Sequence, residues 1–184
     1  MGNRLSKIYT RTGDDGSTGL GDGLRVAKDS LRIEAIGNAD ELNSLIGLVV
    51  CSLSETHQKN TLNEIQHDLF DIGGELSMPG HRLFKDQRTE WLEQELDLLN
   101  EHLPPLKEFI LPGGNIAAAQ THQARSVCRR LERSLVSLNR QEDVSTDIIS
   151  YVNRLSDFLF VLARTVAREN GGQEVLWRHD RTQQ

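Results

Sequence analysis

Leu62-Asn-Glu-Ile-Gln-His-Asp-Leu-Phe-Asp-Ile-Gly-Gly-Glu-Leu76 carries apolar residues at positions 62, 65, 69, 72 and 76. Steps of three and four residues keep these side chains on one face of an α-helix. A strand would need alternation every second residue. The same period recurs on both sides. Leu42, Ile46, Val49 and Leu53 mark a preceding helix, and Leu92, Leu96, Leu99 and Leu103 a following one. Ile116, Val127, Leu131, Leu135 and Leu138 mark a fourth; Val152, Leu155, Leu159, Leu162 and Val166 mark a fifth. Met78-Pro-Gly-His81 breaks the second helix and Pro104-Pro105 ends the third. Asn115 stands where it can N-cap the fourth, Ser145 or Thr146 where either can cap the fifth, and Gly171-Gly172 stops the chain's helical pattern. Five amphipathic helices with short joints and no strand series predict an all-α fold, a five-helix up-and-down bundle with shallow crossing angles. Phe70, Phe158 and Phe160 lie off the main stripes. Apolar residues on a second face favour an oligomer, with a tight five-helix core as the competing explanation.

Residues 1–28 differ from the rest, although they belong to the same single domain as the bundle of 29–184. Ile8-Tyr-Thr-Arg-Thr-Gly-Asp-Asp-Gly-Ser-Thr-Gly-Leu-Gly-Asp-Gly23 holds five glycines among Ser, Thr and Asp. Such a stretch makes turns, and its backbone N–H groups can wrap a phosphate closely. It lacks the G-x-x-x-x-G-K-[ST] of a P-loop, and Asp14, Asp15 and Asp22 miss the spacing and closing Glu of an EF-hand. Ile8 and Tyr9 offer anchors; a plain flexible tail is the competing reading.

Composition narrows the function. A net charge of −6 argues against a general nucleic-acid binder, and 5% aromatics against a single-strand stacking platform. No apolar run reaches the roughly 18 residues of a membrane span. The start lacks the apolar core of a secretion signal, although Met1-Gly-Asn-Arg-Leu-Ser6 fits the loose myristoylation pattern. Cys51 and Cys128 sit in helical apolar patterns and read as reduced core residues, which points to the cytoplasm.

The fourth helix holds the sharpest polar signal, Ala124-Arg-Ser-Val-Cys-Arg-Arg-Leu-Glu-Arg133. Arg125, Arg129 and Arg133, four apart, share one face, and Arg130 and Glu132 flank them. Guanidinium forks suit phosphate oxygens; a solvated surface helix is the plainer reading. Asn153 and Asp157, one turn apart on the fifth helix, suit either a ligand or a bridge between helices. Asp40-Glu-Leu-Asn43 offers a carboxylate that an arginine of the fourth helix can meet. Of the six histidines, His122 lies one turn before Arg125, and His67 closes a Glu64-x-x-His67. A di-iron bundle needs a second such motif, which is missing, and no cluster has zinc spacing.

Five stretches taken together resemble the ATP:cob(I)alamin adenosyltransferases of the trimeric helical-bundle type. They are Lys7-Ile-Tyr-Thr-Arg-Thr-Gly-Asp-Asp-Gly16, Asp40-Glu-Leu-Asn-Ser-Leu-Ile-Gly47, Phe109-Ile-Leu-Pro-Gly-Gly114, Ala124 through Arg133, and Tyr151-Val-Asn-Arg-Leu-Ser-Asp-Phe-Leu-Phe-Val-Leu-Ala-Arg164. They run in the family's order over most of the chain. Departures are mild: Arg11 where a lysine is common, and Asn38-Ala39 before the Asp-Glu-Leu motif.

The resemblance implies a homotrimer of bundles with ferritin-like architecture and active sites between subunits. ATP would be wrapped by the N-terminal loop through Thr10, Arg11, Thr12, Gly13, Ser17 and Thr18, with Lys28 reaching in. Arg129, Arg130, Glu132, Arg133 and Asn153 would complete the nucleotide site. Arg129, Glu132, Phe109 and Asp157 would carry the chemistry, Phe109 by packing on the corrin and keeping a lower ligand off cobalt, Asp157 by supporting the corrinoid side. Asp40 would pair with Arg125 across the interface. ATP and cob(I)alamin would be substrates, Mg²⁺ would accompany the nucleotide with no protein metal site, and a flavin-type reductase is a candidate electron donor. A non-catalytic nucleotide or corrinoid sensor on the same bundle, and a ferritin-like metal bundle, are the rival functions.

Overall fold

The computed structural model describes residues 9–179 of the 184-residue chain. Ile8, Lys7 and the myristoylation pattern at 1–6 lie outside the described residues. Five helices dominate: α1 (Leu31–Ser52), α2 (Thr56–Ser77), α3 (Gln87–Asn100), α4 (Ile116–Asn139) and α5 (Thr146–Ala167). A short antiparallel hairpin, β1 (Ser17–Gly19) with β2 (Arg25–Ala27), precedes them.

Local chemistry sets the helix starts. Ser30 accepts from the Ile33 amide at 3.5 Å, Asn115 from Ala118 at 2.8 Å, and Ser145 from Asp147 at 3.3 Å. Each cap pairs an amide that the first helical turn leaves without a partner. Asp147 adds a negative charge in the first turn of α5, and Arg164 a positive one in its last.

The helices pack in the spatial order α2, α1, α4, α5, α3. Side-chain contacts fix their directions. Arg32 meets Glu142, Asn38 meets Ser134, and Ser52 meets Gln120, so α1 and α4 run antiparallel. Glu132 meets Asn153 and Asn115 meets the Val166 carbonyl, so α4 and α5 do too. Leu42, Ile46, Leu62, Ile65, Ile72, Leu131, Leu135, Leu155 and Leu159 are fully buried. Each contributes about 1.5–3 kcal/mol by leaving water, and truncating one such as Leu131 to alanine costs about 2–5 kcal/mol.

The seam between α2 and α3 is polar. Thr61, Asp68 and Glu75, seven residues apart, form a ladder along α2. Thr61 donates to Glu95 at 3.0 Å. Asp68 accepts two bonds from Arg88 at 2.7 and 2.8 Å and one from the Tyr151 hydroxyl at 2.6 Å. Glu75 accepts the amides of Leu83 and Phe84 and pairs with Arg82. Burial pushes the Asp68 carboxyl up despite Arg88 and Tyr151 beside it.

Several expectations need correction. Joints are not all short, since the chain runs from 101 to 115 between α3 and α4 without a helix. The glycine-rich segment forms a hairpin as well as turns. Cys51 is exposed; only Cys128 lies in the core, where its thiol donates to the Val152 carbonyl. Ile116 opens α4 and is exposed, Phe158 is a core residue, and Phe70 stands in solvent.

Candidate active site

The period of α4 buries Val127, Cys128, Leu131 and Leu135 and turns the arginines outward. Arg125 is half-buried, its guanidinium 5.8 Å from the centre of the Phe160 ring. Its buried Nε has no hydrogen-bond partner. Burial, then the neighbouring charge of Arg129, holds its pKa below the ordinary arginine value. Arg129 is exposed, and Arg133 donates to its carbonyl at 2.9 Å. Among the described residues none of these three arginines has a carboxylate partner. Three unpaired guanidiniums on one face leave a local field that favours an anion.

Arg130 points elsewhere. It donates to Asn38 at 2.9 Å and pairs with Glu41, both on α1. Glu132, the one acid among the arginines, accepts from Asn153 of α5 at 2.8 Å. Asp157, one turn further, pairs with Arg154 at 3.0 Å, and Arg154 also reaches Glu93 on α3 at 2.8 Å. Asn153 thus does bridge helices, and Asp157 sits at the mouth of a cleft.

That cleft, ≈ 410 Å³, opens between α3, α4, α5 and the 101–115 joint. Arg125, Arg129 and Asp157 line it together with the apolar side chains Leu96, Leu106, Phe109, Ile110, Phe160 and Val161. Phe109 is 73% exposed at this cleft. Its backbone is held by a segment the sequence did not flag. Leu111 donates to the Val175 carbonyl at 2.8 Å and Trp177 to the Phe109 carbonyl at 2.7 Å. The apolar run Val175-Leu-Trp177 after Gly171-Gly172 was the available signal. His122 is buried behind Phe160, ring against ring at 6.3 Å, with an unpartnered Nδ1. Burial first, and Arg125 second, hold its pKa below the ordinary histidine value.

The glycine-rich loop is ordered from within. Asp15 accepts the Ser17 amide and hydroxyl, the Thr10 and Thr12 hydroxyls lie 2.8 Å apart, and Arg25 donates to the Thr12 carbonyl. Thr18 lies within β1 and pairs with Val26. Gly13 is required by space: a Cβ there would stand 3.0 Å from the Ser17 carbonyl oxygen and 3.1 Å from the Lys28 ammonium. Arg11 adopts φ of 60°, the left-handed region that side-chain-bearing residues rarely enter.

Among the described residues the loop contributes nothing to the lining of the arginine cleft. Gly21 donates to the Ser77 carbonyl, docking the loop on the C-terminal end of α2. Among the described residues, no hydrogen bond or ion pair joins 9–28 to α4 or α5. Asp40 is exposed on α1 and pairs with no arginine of its own chain among those described. So Phe109, Arg125, Arg129 and Asp157 form one group, Thr10 to Lys28 another, and Arg130 belongs to the α1 contact. Among the described residues no three His, Cys, Asp or Glu side chains cluster as a metal site, and His67 is exposed.

Comparison with known proteins identifies the family. The sequence model described as "Cobalamin adenosyltransferase" matches residues 8–166. A cobalamin adenosyltransferase of Cupriavidus metallidurans is 56% identical over 98% of this chain and 99% of its own. A corrinoid adenosyltransferase of Bacillus subtilis is 43% identical over 90% of this chain and 89% of its own. Among solved structures, a phenylalanine-to-alanine variant of the PduO-type ATP:corrinoid adenosyltransferase of Lactobacillus reuteri, complexed with cobalamin and ATP, superposes with a TM-score of 0.87. It is 39% identical, covering 94% of this chain and 99% of that one. An arginine-to-lysine variant of the same enzyme, complexed with ATP, gives 0.86 at 40% identity, covering 93% and 100%. Matched by the family model over residues 8–166 and by relatives over nearly their whole length, this chain belongs to the cobalamin adenosyltransferase family.

Proposed function

We propose that this protein transfers the 5′-deoxyadenosyl group of ATP to the cobalt of cob(I)alamin, giving adenosylcobalamin and triphosphate. The observation that carries this is the unpaired arginine face of α4 set against the exposed Phe109 wall. The guanidiniums suit a polyphosphate, and the apolar lining suits a flat macrocycle.

The reaction is a displacement at carbon. The Co(I) electron pair attacks C5′, the Co–C5′ bond forms, and the C5′–O5′ bond breaks with its pair leaving on the triphosphate. Negative charge grows on the leaving group, and Arg129 and Arg133, on one face of α4 without carboxylate partners among the described residues, would stabilise it. Glu132 holds Asn153 across α4 and α5, orienting the polar floor of the nucleotide site. Phe109 and its apolar neighbours keep water and axial ligands from the lower face of cobalt, which makes Co(II) easier to reduce. Asp157 supports the corrinoid side.

The separation of the loop from the cleft supports an active site between copies of the chain. A homotrimer lets Thr10, Arg11, Thr12, Gly13, Ser17, Thr18 and Lys28 of one subunit face the arginines of the next, and lets Asp40 pair with Arg125. The orphaned Nε of Arg125 is consistent with such a partner. Mg²⁺ would enter on the nucleotide, since phosphate oxygens satisfy its octahedral shell without a protein cage; its chemistry there is to neutralise the leaving triphosphate. No described helix is long and apolar enough to cross a membrane, and we place the enzyme in the cytoplasm with a flavin-type reductase as its electron source.

The test is an anaerobic mixture of chemically reduced cob(I)alamin, ATP and Mg²⁺ with the protein. Appearance of light-labile adenosylcobalamin is expected. ATP binding with no change at cobalt would overturn the assignment in favour of a sensor.

A further inference from the structure

Phe109 stands in a joint with little support of its own. Pro104, Pro105 and Pro112 bracket it, and no helix passes through it. Its ring is largely in solvent, so the core does not set its orientation. What holds it is the C-terminal segment. Ile110 bridges antiparallel to Leu176, and two backbone hydrogen bonds of 2.7 and 2.8 Å flank that bridge. Among the described residues, Trp177 is the one aromatic ring packed on Phe109, edge-on at 6.1 Å between centroids. The other side of the indole meets the His179 ring at 3.9 Å, and His179 returns to Glu108 at 3.3 Å, beside Phe109 in sequence. The segment itself is tied to α5, because Glu174 is buried between Arg164 at 2.6 Å and Arg168 at 2.9 Å.

We propose that Trp177 is a positioning residue for the reaction: it fixes the ring of Phe109 against the face of the corrin, and the buried Glu174–Arg164 pair fixes Trp177. The inference rests on the adenosyltransferase reading above. An edge-to-face aromatic pair resists rotation because the positive rim of one ring meets the negative face of the other. A ring free to turn would uncover the lower face of cobalt for part of the time. The corrin would then bind nearly as well but pass less often into the state without axial ligands. Trp177 does not line the cleft, so its effect is expected on turnover rather than on ATP binding.

The experiment compares Trp177→Ala, Trp177→Phe, Phe109→Ala and the double variant Trp177→Ala/Phe109→Ala in the full chain. Trp177→Ala should lower kcat for adenosylation of Co(II) cobalamin under reducing conditions by about 2- to 10-fold, the range of one aromatic contact. KM for ATP should not move. The spectroscopic signature of four-coordinate Co(II) in the presence of ATP should shrink in proportion. Trp177→Phe, which keeps a ring edge, should restore most of both. In the Phe109→Ala background, removing Trp177 should add nothing. Wild-type four-coordinate Co(II) in Trp177→Ala, or a full independent loss in the double variant, would overturn the inference. A Trp177→Phe variant that folds normally yet fails as badly as alanine would also overturn it. If the wild-type protein itself transfers no adenosyl group to cob(I)alamin, the functional reading fails instead, and the two failures are told apart by that control.

Discussion

Replacing Arg129 with alanine should separate catalysis from stability. Arg129 is exposed, has no carboxylate partner among the described residues, and raises the cost of keeping half-buried Arg125 charged. Its removal leaves no buried group unpaired, so the usual cause of a large folding penalty is missing. The fold should change by less than about 1 kcal/mol, the range of exposed charge effects. At roughly 2–4 °C per kcal/mol for a chain of this size, the melting midpoint should stay within about 4 °C of wild type. Relief of repulsion at Arg125 would move it upward. Turnover should behave oppositely. A fixed donor aimed at developing charge is worth about 2.7–4 kcal/mol in the transition state, so kcat should fall by about 10²–10³. The assay is anaerobic stopped-flow loss of cob(I)alamin at saturating ATP, with melting of wild type and variant at the same protomer concentration. Near-normal turnover would refute the placing of charge stabilisation on this face of α4. A drop of 10 °C or more would show that Arg129 has a structural partner and would refute the reasoning from its unpaired state.

Other outcomes follow from the same contacts. Asp68→Ala leaves the buried Tyr151 hydroxyl without its acceptor and Arg88 with Glu64 alone, costing about 1–3 kcal/mol and lowering the melting midpoint by about 2–12 °C; Tyr151→Phe, which leaves the Arg88 pair intact, should cost less than half of that. His122 has its folded pKa below the ordinary 6.5, so the folded state takes up its proton less readily than the unfolded one. Stability should therefore hold above pH 6.5 and fall as pH drops from 6.5 through the folded pKa; His122→Gln should flatten that limb, and an unaltered pH profile would refute it. Arg125→Ala should weaken the trimer in sedimentation at low protomer concentration, as should Asp40→Ala, and the double variant should be no worse than either single one; unchanged assembly in all three would remove that pair from the interface.

The bundle was legible because its signal is periodic. Five stripes at three-to-four spacing mark all five helices, and the caps at Asn115 and Ser145 place the starts of α4 and α5; the stripe from Leu42 misses the first turns of α1, which begins at Leu31. The polar ladder was not, because Asp68 and Glu75 interrupt no stripe; they sit beside it at heptad spacing, and only their partners Arg88, Tyr151 and Arg82, remote in sequence, reveal their burial. The arginine face was visible as charge, yet the divergence of Arg130 toward Asn38 and Glu41 depends on how α1 leans on α4. Trp177 was missed because a single short bridge has no period. The resemblance named the residues around ATP but gave no hint that loop and cleft lie apart within one chain.

In the proposed reaction Co(I) attacks C5′ and expels the whole triphosphate into the arginine-lined cleft. The most direct measurement is a rapid-quench single turnover with excess protein, counting triphosphate and Co–C bonds formed per cob(I)alamin consumed. One intact triphosphate and one adenosylcobalamin for each Co(I) is the predicted result. ADP or free phosphate as the first product, or Co(I) surviving with ATP bound, would contradict it.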